Sequence, residues 1–217
     1  QINLAKCIPA LASGCSVVLK AAPDTPWSAT MLGRIVKQST DIPAGVFNVL
    51  TAEDPVSLGE QLVRDPRVDM ISFTGSTPVG KRVMALASES VKRVFLELGG
   101  KSANIILDDS DLSQSLLSSL AVCFHAGQGC AIHTRLLIPK SRRDEVESLL
   151  QTYFGYIEYG DPMSESQIMG PLINARQRDR VLEYIDKGKR EGARILLGGG
   201  MPKHLDRGYY IEPTVFM

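Results

Sequence analysis

The first half of the chain alternates short apolar runs with segments whose apolar residues recur at helical spacing. The runs CSVVLK, VFNVL, MISFTG and VKRVFLEL are predicted to be strands, because buried strands of a parallel sheet are nearly continuous apolar runs. Helices are predicted between them, one with Thr25 as its N-cap and Pro26 as its first residue, one over Ser57–Val63 and one over about 78–88.

This alternation of strands and helices indicates an α/β fold, here a doubly wound, Rossmann-like parallel sheet with helices on its faces. A sheet of this kind binds its ligand at the carboxyl ends of its strands. After Gly99 and Gly100 the pattern starts again. We therefore predict two domains, residues 1–99 and residues 100–217, with the seam near Gly99.

The second half predicts another α/β domain. Residues 102–109, residues 134–141 and the run ILLGG have the composition of strands. A helix is predicted over residues 111–124, with Asp111 near its start, and amphipathic helices are predicted over RRDEVESLLQTYF and from Gln177 onward. The chain opens inside a helical pattern and closes in a strand-like run, so we expect both domains to be partial.

Composition excludes several classes of function. Hydrophobic residues make up 44% and charged residues 22% of the 217 positions, and the formal net charge is zero. Nothing in this balance favours a nucleic-acid partner or a membrane surface, and no apolar run approaches the roughly 20 residues of a membrane span. The N-terminus lacks the pattern of a signal peptide. Four cysteines are too few for a disulfide scaffold, which favours a reducing, cytoplasmic compartment.

A glycine-containing loop joins the third predicted strand to a helix in FTGSTPVG, residues 73–80. Free N–H groups at a helix N-terminus suit a phosphate, Gly75 allows close approach, and Ser76 could bind a phosphate oxygen or cap the helix. The loop lacks the Lys-Ser/Thr of a P-loop, so an ordinary strand-to-helix turn is equally consistent with it. Lys20 ends the first strand, where either a cofactor or solvent could face it.

The stretch HAGQGCAIH contains the most informative cysteine, Cys130. Together with Cys123, His125 and His133 it could supply the two sulfurs and two imidazoles of a zinc site, although the spacing matches no common zinc pattern. Cys130 could also be a small buried thiol, since free cysteine is among the most buried residue types. The sequence alone leaves both alternatives open.

A third interpretation makes Cys130 a nucleophile. Gly127 and Gly129 would let a substrate approach the thiol past exposed backbone amides. A covalent mechanism also needs a base that releases the product, and Glu97 in LELGGKS ends a strand beside two glycines. A carboxylate among apolar neighbours can have a raised pKa, which suits a general base, although a salt-bridged glutamate would look the same in sequence.

Several ordered segments together resemble the aldehyde dehydrogenase superfamily. They are PALASGCSVVLK, IPAGVFNVL, FTGSTPVGKRVM, LELGGKSANIILDDSDL and GQGCAIHTRLLIP, followed by GDPMSESQIMGPLI and GGGMPKHLDRGYYIEPTVF. The resemblance covers the chain almost end to end. The family's W-N-x-P and E-x-F-G-P motifs would fall before Gln1 and after Met217, and His125 stands where the family often has asparagine.

The resemblance implies oxidation of an aldehyde to a carboxylic acid, with Cys130 as nucleophile and Glu97 as the base that hydrolyses a thioester. It also implies a cofactor-binding set: Lys20 at the adenosine ribose, Gly75, Ser76 and Gly80 in the pyrophosphate loop, and Leu98 and Gly99 near the nicotinamide. No metal is implied. The cofactor would be NAD, with NADP tolerated, because Pro23 stands where NAD-preferring members often have glutamate.

The partners implied are a small aldehyde and other copies of the chain, in a homodimer or homotetramer of the complete protein. The mostly apolar residues around Phe124, Gly129, Ala131 and Ile132 favour a hydrophobic aldehyde. Two alternatives to an aldehyde dehydrogenase that releases a carboxylic acid are a non-catalytic protein and a different kind of enzyme. A catalytically silent or structural relative would keep the fold, but intact Cys130 and Glu97 argue against it. A semialdehyde dehydrogenase that passes its acyl group to coenzyme A would not need Glu97 for hydrolysis.

Overall fold

Pairs of strands with helices packed on them make up both parts of the chain. The computed structural model describes residues 1–217, which divide into two compact units, residues 1–99 and residues 100–217. Three strand pairs are parallel and one is antiparallel. The predicted α/β class with parallel strands is therefore confirmed. Every helix is too short or too polar to traverse a lipid bilayer.

The first unit contains two parallel strand pairs and four helices. Its strands are β1 (Val17–Lys20), β2 (Phe47–Leu50), β3 (Met70–Gly75) and β4 (Arg93–Leu98), with β1 paired to β2 and β3 paired to β4. Its helices are α1 (Ile2–Ala12), α2 (Pro26–Ser39), α3 (Pro55–Arg64) and α4 (Thr77–Ala87). All four strands predicted in this half are confirmed.

Helix α4 covers one face of the β3–β4 pair. Val83, Leu86 and Ala87 of α4 are buried with Val63 of α3 against the apolar side chains of the two strands. Burying a valine or leucine side chain contributes roughly 1.5–3 kcal/mol, so this contact is a main source of stability for the unit.

Two helix starts differ in detail from the prediction. Helix α2 begins at Pro26 with Thr25 at the N-cap position, but the threonine hydroxyl makes no capping hydrogen bond. Helix α3 begins at Pro55, earlier than the predicted Ser57, because the Asp54 carboxylate accepts hydrogen bonds from two backbone N–H groups of the first turn. A capping carboxylate of this kind stabilises a helix start by about 1 kcal/mol.

The second unit contains one parallel and one antiparallel strand pair. Its strands are β5 (Ser102–Ile105), β6 (His133–Leu137), β7 (Ile195–Leu197) and β8 (Val215–Phe216). Its α-helices are α5 (Leu112–Ser115), α6 (Arg143–Gly155) and α7 (Ala175–Arg190), and 3₁₀ segments cover Leu116–Val122 and Phe124–Gly127. Its core contains the fully buried side chains of Leu112, Leu116, Cys123, Val146 and Leu150.

The single helix predicted over residues 111–124 is wrong. Only α5 is α-helical there, and the chain continues as 3₁₀ turns. Asp111 caps the start of α5 by accepting from the Ser113 N–H. Beyond α5, serine side chains compete for backbone groups, as Ser118 does by donating its hydroxyl to the Ser115 carbonyl at 2.8 Å. Such local bonds disfavour a continuous α-helix.

Strands β5 and β6 are shorter than the apolar runs that predicted them. The chain turns after β5, where the Ser110 N–H donates to the Leu107 carbonyl. After β6 it reaches Pro139, which has no N–H to donate to a ladder. The ends of both runs therefore lie outside the strands.

A backbone contact after β7 leaves no room for a side chain at one glycine, Gly198. Gly198 has a φ of 68°, and a Cβ there would collide with the carbonyl oxygen of Pro213. Gly192, just after α7, also has a positive φ of 85° but open space around its Cβ position. We expect Gly198→Ala to lower the free energy of unfolding by about 2–3 kcal/mol and Gly192→Ala by about 1 kcal/mol. Denaturant titration of the two variants measures this difference, and equal losses would contradict the steric account.

Candidate active site

Lys20 is the last residue of β1 and lies at the carboxyl end of that strand. Its side chain is half-buried, since its stem passes over Gly59 of α3, where an added Cβ would lie 3.6 Å from the lysine Cε. The ammonium makes one hydrogen bond, to the neighbouring Ala21 carbonyl at 3.3 Å. Its remaining donor capacity is therefore available to the hydroxyl groups of a ligand.

The loop between β3 and α4 presents a helix N-terminus without a competing side chain. Ser76 occupies the N-cap position of α4, its side chain is exposed, and its hydroxyl makes no capping hydrogen bond. The first turn contains no acidic residue. The ring of Phe73 occupies the space that a side chain at Gly75 would need. The free N–H groups and the helix dipole make this loop suitable for an anionic group such as a phosphate.

Leu98 and Gly80 contact each other at the same end of the β3–β4 pair. Leu98 is the register partner of Gly75. Gly80 is buried, and a Cβ added there would lie 2.7 Å from Cδ2 of Leu98. Gly80 thus lies beneath the Leu98 side chain, and a direct contact of Gly80 with a cofactor stays a prediction. Gly99, the next residue along the chain, is exposed.

Glu97 lies on β4 opposite Thr74. Its side chain is exposed, because it alternates along the strand with the half-buried Leu96 and Leu98. No ion pair includes Glu97, so the alternative of a salt-bridged strand-end glutamate is not what the structure shows. The apolar surroundings expected from the sequence are also missing within this unit.

Cys130 lies in a turn immediately before β6 and is exposed. Its backbone N–H makes no hydrogen bond within the chain. Beside it, Gly129 has so little space that a Cβ would lie 3.3 Å from Cγ2 of Ile132. Both the thiol and the N–H of Cys130 are therefore open to a small molecule, and the interpretation of Cys130 as a buried thiol is wrong.

The other cysteines differ from Cys130 in burial or in setting. Cys123 is 1% exposed, and burial raises the pKa of its thiol to about 11. Cys7 is also buried, and burial raises the pKa of its thiol as well. These two thiols stay protonated at neutral pH and cannot act as nucleophiles there. Cys15 is exposed but lies between α1 and β1. Only Gly14 precedes it there, whereas Cys130 follows both Gly127 and Gly129.

The zinc interpretation required Cys123, His125, Cys130 and His133 to converge. The structure buries Cys123 in the core and leaves Cys130 at the surface. No three histidine, cysteine or acidic side chains in the chain come together in a way that could hold a metal ion.

The turn before Cys130 has an unusual backbone. His125, Ala126 and Gly127 have φ values of 59°, 51° and 75°, so three successive residues are in the left-handed region. Among residues other than glycine, asparagine, aspartate and histidine adopt this region most readily. Histidine is therefore among the residues that can adopt this conformation at position 125.

The role of Gln128 was not predicted from the sequence. Its side-chain amide bonds to His125 in its own turn and to Ile173 in a distant loop. A glutamine in a loop carries no periodicity or spacing that would have revealed these partners.

A groove of about 910 Å³ lies between the 3₁₀ segments and α7. It reaches Gln128 and Cys123 but does not include Cys130, so we do not assign it to a substrate.

Apart from Lys20, which ends β1 in a separate strand pair, the predicted site residues lie in two places. Gly75, Ser76, Glu97 and Leu98 lie together at the carboxyl ends of β3 and β4 in the first unit. Cys130 lies in the second unit, just before the strand β6. The first group has the features of an anion-binding loop beside a carboxylate, and the second group has those of an accessible thiol with a free neighbouring N–H.

A family model that matches the whole chain agrees with the family resemblance seen in the sequence. The model described as "Aldehyde dehydrogenase family" matches residues 1–217. A curated relative, the 3-succinoylsemialdehyde-pyridine dehydrogenase of a Pseudomonas species, is 44% identical over 214 residues, which is 98% of this chain and 44% of the relative. The chain belongs to the aldehyde dehydrogenase family.

Solved structures agree in fold. Aldehyde dehydrogenase C of Pseudomonas syringae, in complex with NAD⁺ and octanal, is 40% identical with a TM-score of 0.92 and covers 96% of this chain and 43% of its own. An NADP-dependent enzyme of E. coli is 36% identical with a TM-score of 0.92, covering 97% of this chain and 43% of its own. The chain thus spans less than half the length of these relatives.

Proposed function

We propose that the full-length protein oxidises an aldehyde to a carboxylic acid with NAD⁺, through a covalent intermediate on Cys130. The observation that carries this proposal is the exposed Cys130 thiol in a glycine-flanked turn beside a free backbone N–H, in a chain of this family. The buried Cys7 and Cys123 cannot replace it at neutral pH.

The first chemical step is attack of the Cys130 thiolate on the aldehyde carbonyl. The C–S bond forms, the carbonyl π electrons move to oxygen, and the developing oxyanion accepts a hydrogen bond from the Cys130 N–H. Protonation of this oxygen gives a thiohemiacetal. Loss of hydride from its carbon, together with loss of the hydroxyl proton to solvent, leaves a thioester on the cysteine.

Glu97 then acts as general base. Its carboxylate removes a proton from water, the water oxygen attacks the thioester carbonyl, and the C–S bond breaks to release the carboxylic acid and regenerate the thiolate. Retention of Glu97 supports hydrolysis over transfer to coenzyme A, because transfer does not require an activated water. Retention of both Cys130 and Glu97 likewise supports an active enzyme over a silent relative of the same fold.

The first unit would hold the cofactor. Lys20 would donate to the adenosine ribose hydroxyls, and Gly75 and Ser76 would bind the pyrophosphate at the N-terminus of α4, with Leu98 and Gly99 at the nicotinamide. The uncapped helix and the absence of acid in its first turn support this fit. When bound, NAD⁺ supplies the oxidising equivalent by accepting hydride.

The aldehyde is proposed to be hydrophobic. Ala131, Ile132 and Phe124, all close to Cys130 in the chain, are apolar, and Phe124 is 52% exposed and so available for contact. The structure of a relative, aldehyde dehydrogenase C of Pseudomonas syringae, has been solved with octanal bound.

We further propose that the complete protein forms a homodimer or homotetramer. Its four free cysteines support a reducing compartment, the cytoplasm.

Absorbance of NADH during incubation with octanal tests the proposed function. We expect aldehyde-dependent NADH formation, octanoate as product and no requirement for coenzyme A. Labelling of the Cys130 thiol by iodoacetamide should also be slowed by NAD⁺. A protein that binds NAD⁺ but forms no NADH with any aldehyde would be a silent relative, and a requirement for coenzyme A would indicate the acyl-transferring alternative.

Cofactor selectivity provides a separate prediction. Pro23 follows Lys20 by three residues and has no carboxylate to repel the 2′-phosphate of NADP⁺. We expect kcat/KM to favour NAD⁺ by less than about a thousandfold, or about 4 kcal/mol. Pro23→Glu should raise that preference at least about tenfold, because it restores a ribose acceptor and charge repulsion. A wild-type preference above this limit, or no effect of Pro23→Glu, would contradict the assignment.

A further inference from the structure

The turn that precedes Cys130 is energetically unfavourable by itself. His125 and Ala126 both have left-handed backbones, which are unfavourable for residues other than glycine. Conformations of this kind persist only where surrounding groups hold them. Since Cys130 follows the turn by three residues, whatever holds the turn also sets the position of the thiol and its N–H.

Gln128 makes the hydrogen bonds that close this turn. Its backbone N–H donates to the His125 carbonyl at 3.0 Å, and its side-chain Nε2 donates to the same oxygen at 3.0 Å. The carbonyl of the first left-handed residue therefore accepts two hydrogen bonds from one glutamine. Unwinding of the turn would break both of them.

The other end of the same amide attaches the turn to a second loop. The Gln128 Oε1 accepts a hydrogen bond from the Ile173 N–H at 3.0 Å. That loop is itself fixed, because buried Leu172 donates its N–H to the Tyr209 carbonyl at 3.0 Å and Asn174 caps α7 through the Gln177 N–H. The amide thus connects the strained turn to a well-anchored part of the unit.

We propose that Gln128 is a positioning residue that holds the Cys130 turn in its reactive geometry. The inference rests on the proposed function in that it concerns the nucleophile of the same reaction. Only a group that donates and accepts at once can satisfy both partners. Glutamate could accept from Ile173 but would place its charge against the His125 carbonyl, and methionine could make neither bond.

Two variants and a matched control test the proposal in the full-length protein. Misplacement of a reacting group by about 1 Å can cost about a hundredfold in rate. We expect Gln128→Met and Gln128→Glu to lower kcat about ten- to a hundredfold while KM for NAD⁺ stays within about twofold. The control is Gln177→Met, since Gln177 lies nearby on α7 and uses only its backbone N–H in a hydrogen bond. It should keep wild-type kcat.

The pH dependence separates positioning from loss of structure. Protonation gives Gln128→Glu an O–H that can donate to the His125 carbonyl, so its kcat relative to wild type should rise as the pH falls toward the range where glutamate protonates. Gln128→Met should show no such recovery. Both variants lose side-chain hydrogen bonds and should be modestly less stable, but each should unfold in one transition well above the assay temperature. A loss of kcat that the unfolded fraction alone accounts for would overturn the proposal.

Alkylation of the thiol distinguishes failure of this inference from failure of the proposed function. Iodoacetamide labelling followed by peptide mass spectrometry gives the rate at Cys130 relative to that at exposed Cys15 in the same molecule. We expect the ratio to change at least about threefold in the Gln128 variants, the effect of losing one hydrogen bond. An unchanged ratio overturns the positioning role even if the protein oxidises aldehydes. A changed ratio supports it even if no aldehyde is oxidised.

Discussion

Replacement of Cys130 by alanine in the full-length protein is expected to abolish aldehyde oxidation, with kcat/KM lower by at least about a thousandfold. The physical reason is that no other thiol can form the covalent intermediate. Cys7 and Cys123 are buried, with thiol pKa values raised by that burial. Cofactor binding should be unaffected, because the proposed NAD⁺ contacts all lie in residues 1–99.

Cys15→Ala is the matched control for this experiment. Cys15 is the second exposed thiol, and it lies in the first unit between α1 and β1. Its replacement should leave kcat/KM within about twofold of wild type, since surface substitutions usually change little. Steady-state NADH formation and NAD⁺ binding by fluorescence give the two readouts. Turnover by Cys130→Ala, or its loss in Cys15→Ala, would be incompatible with the proposed nucleophile.

Replacement of Glu97 by glutamine is expected to separate the two halves of the reaction. Glutamine keeps the shape of the side chain but cannot accept a proton from water. Thioester formation should therefore proceed and release a burst of NADH, after which hydrolysis stalls and kcat falls by about a hundred- to ten-thousandfold. Stopped-flow absorbance measures the burst and the steady state in one trace.

The Glu97 carboxylate is exposed within its own unit and takes part in no ion pair, so its replacement removes no folding contact. Glu53, also an exposed glutamate of the first unit, provides the control. Glu53→Gln should show neither the burst nor the stall. Full steady-state turnover in Glu97→Gln would show that another group activates water.

The strands of the first unit could be predicted from the sequence because they are dense apolar runs. MISFTG became β3 and VKRVFLEL contains β4, with their parallel register placing Gly75 opposite Leu98. Gly75 and Ser76 followed from that pattern, since a strand-to-helix loop places its glycine and serine at the strand's carboxyl end. Leu98 and Gly99 were predicted only through the family resemblance. The local sequence was sufficient to predict these strands, because their apolar runs determine where they form.

The region around Cys130 could not be predicted in the same way. The apolar spacing of residues 111–124 favoured a helix, but a serine side chain bonds to a nearby carbonyl there and the segment forms 3₁₀ turns after α5. The left-handed residues and the contact between Gln128 and Ile173 depend on residues 45 positions apart in sequence. Such contacts have no local pattern, so the glycine-flanked cysteine could be recognised while the groups that hold it could not.

Mass spectrometry of the acylated enzyme tests the central claim most directly. Glu97→Gln is incubated with octanal in the presence or absence of NAD⁺, quenched in acid and digested. We predict an octanoyl group on the peptide that contains Cys130, formed only when NAD⁺ is present. Absence of the adduct despite a burst of NADH, or an adduct on a different residue, would contradict the assignment of Cys130 as the nucleophile of an aldehyde dehydrogenase.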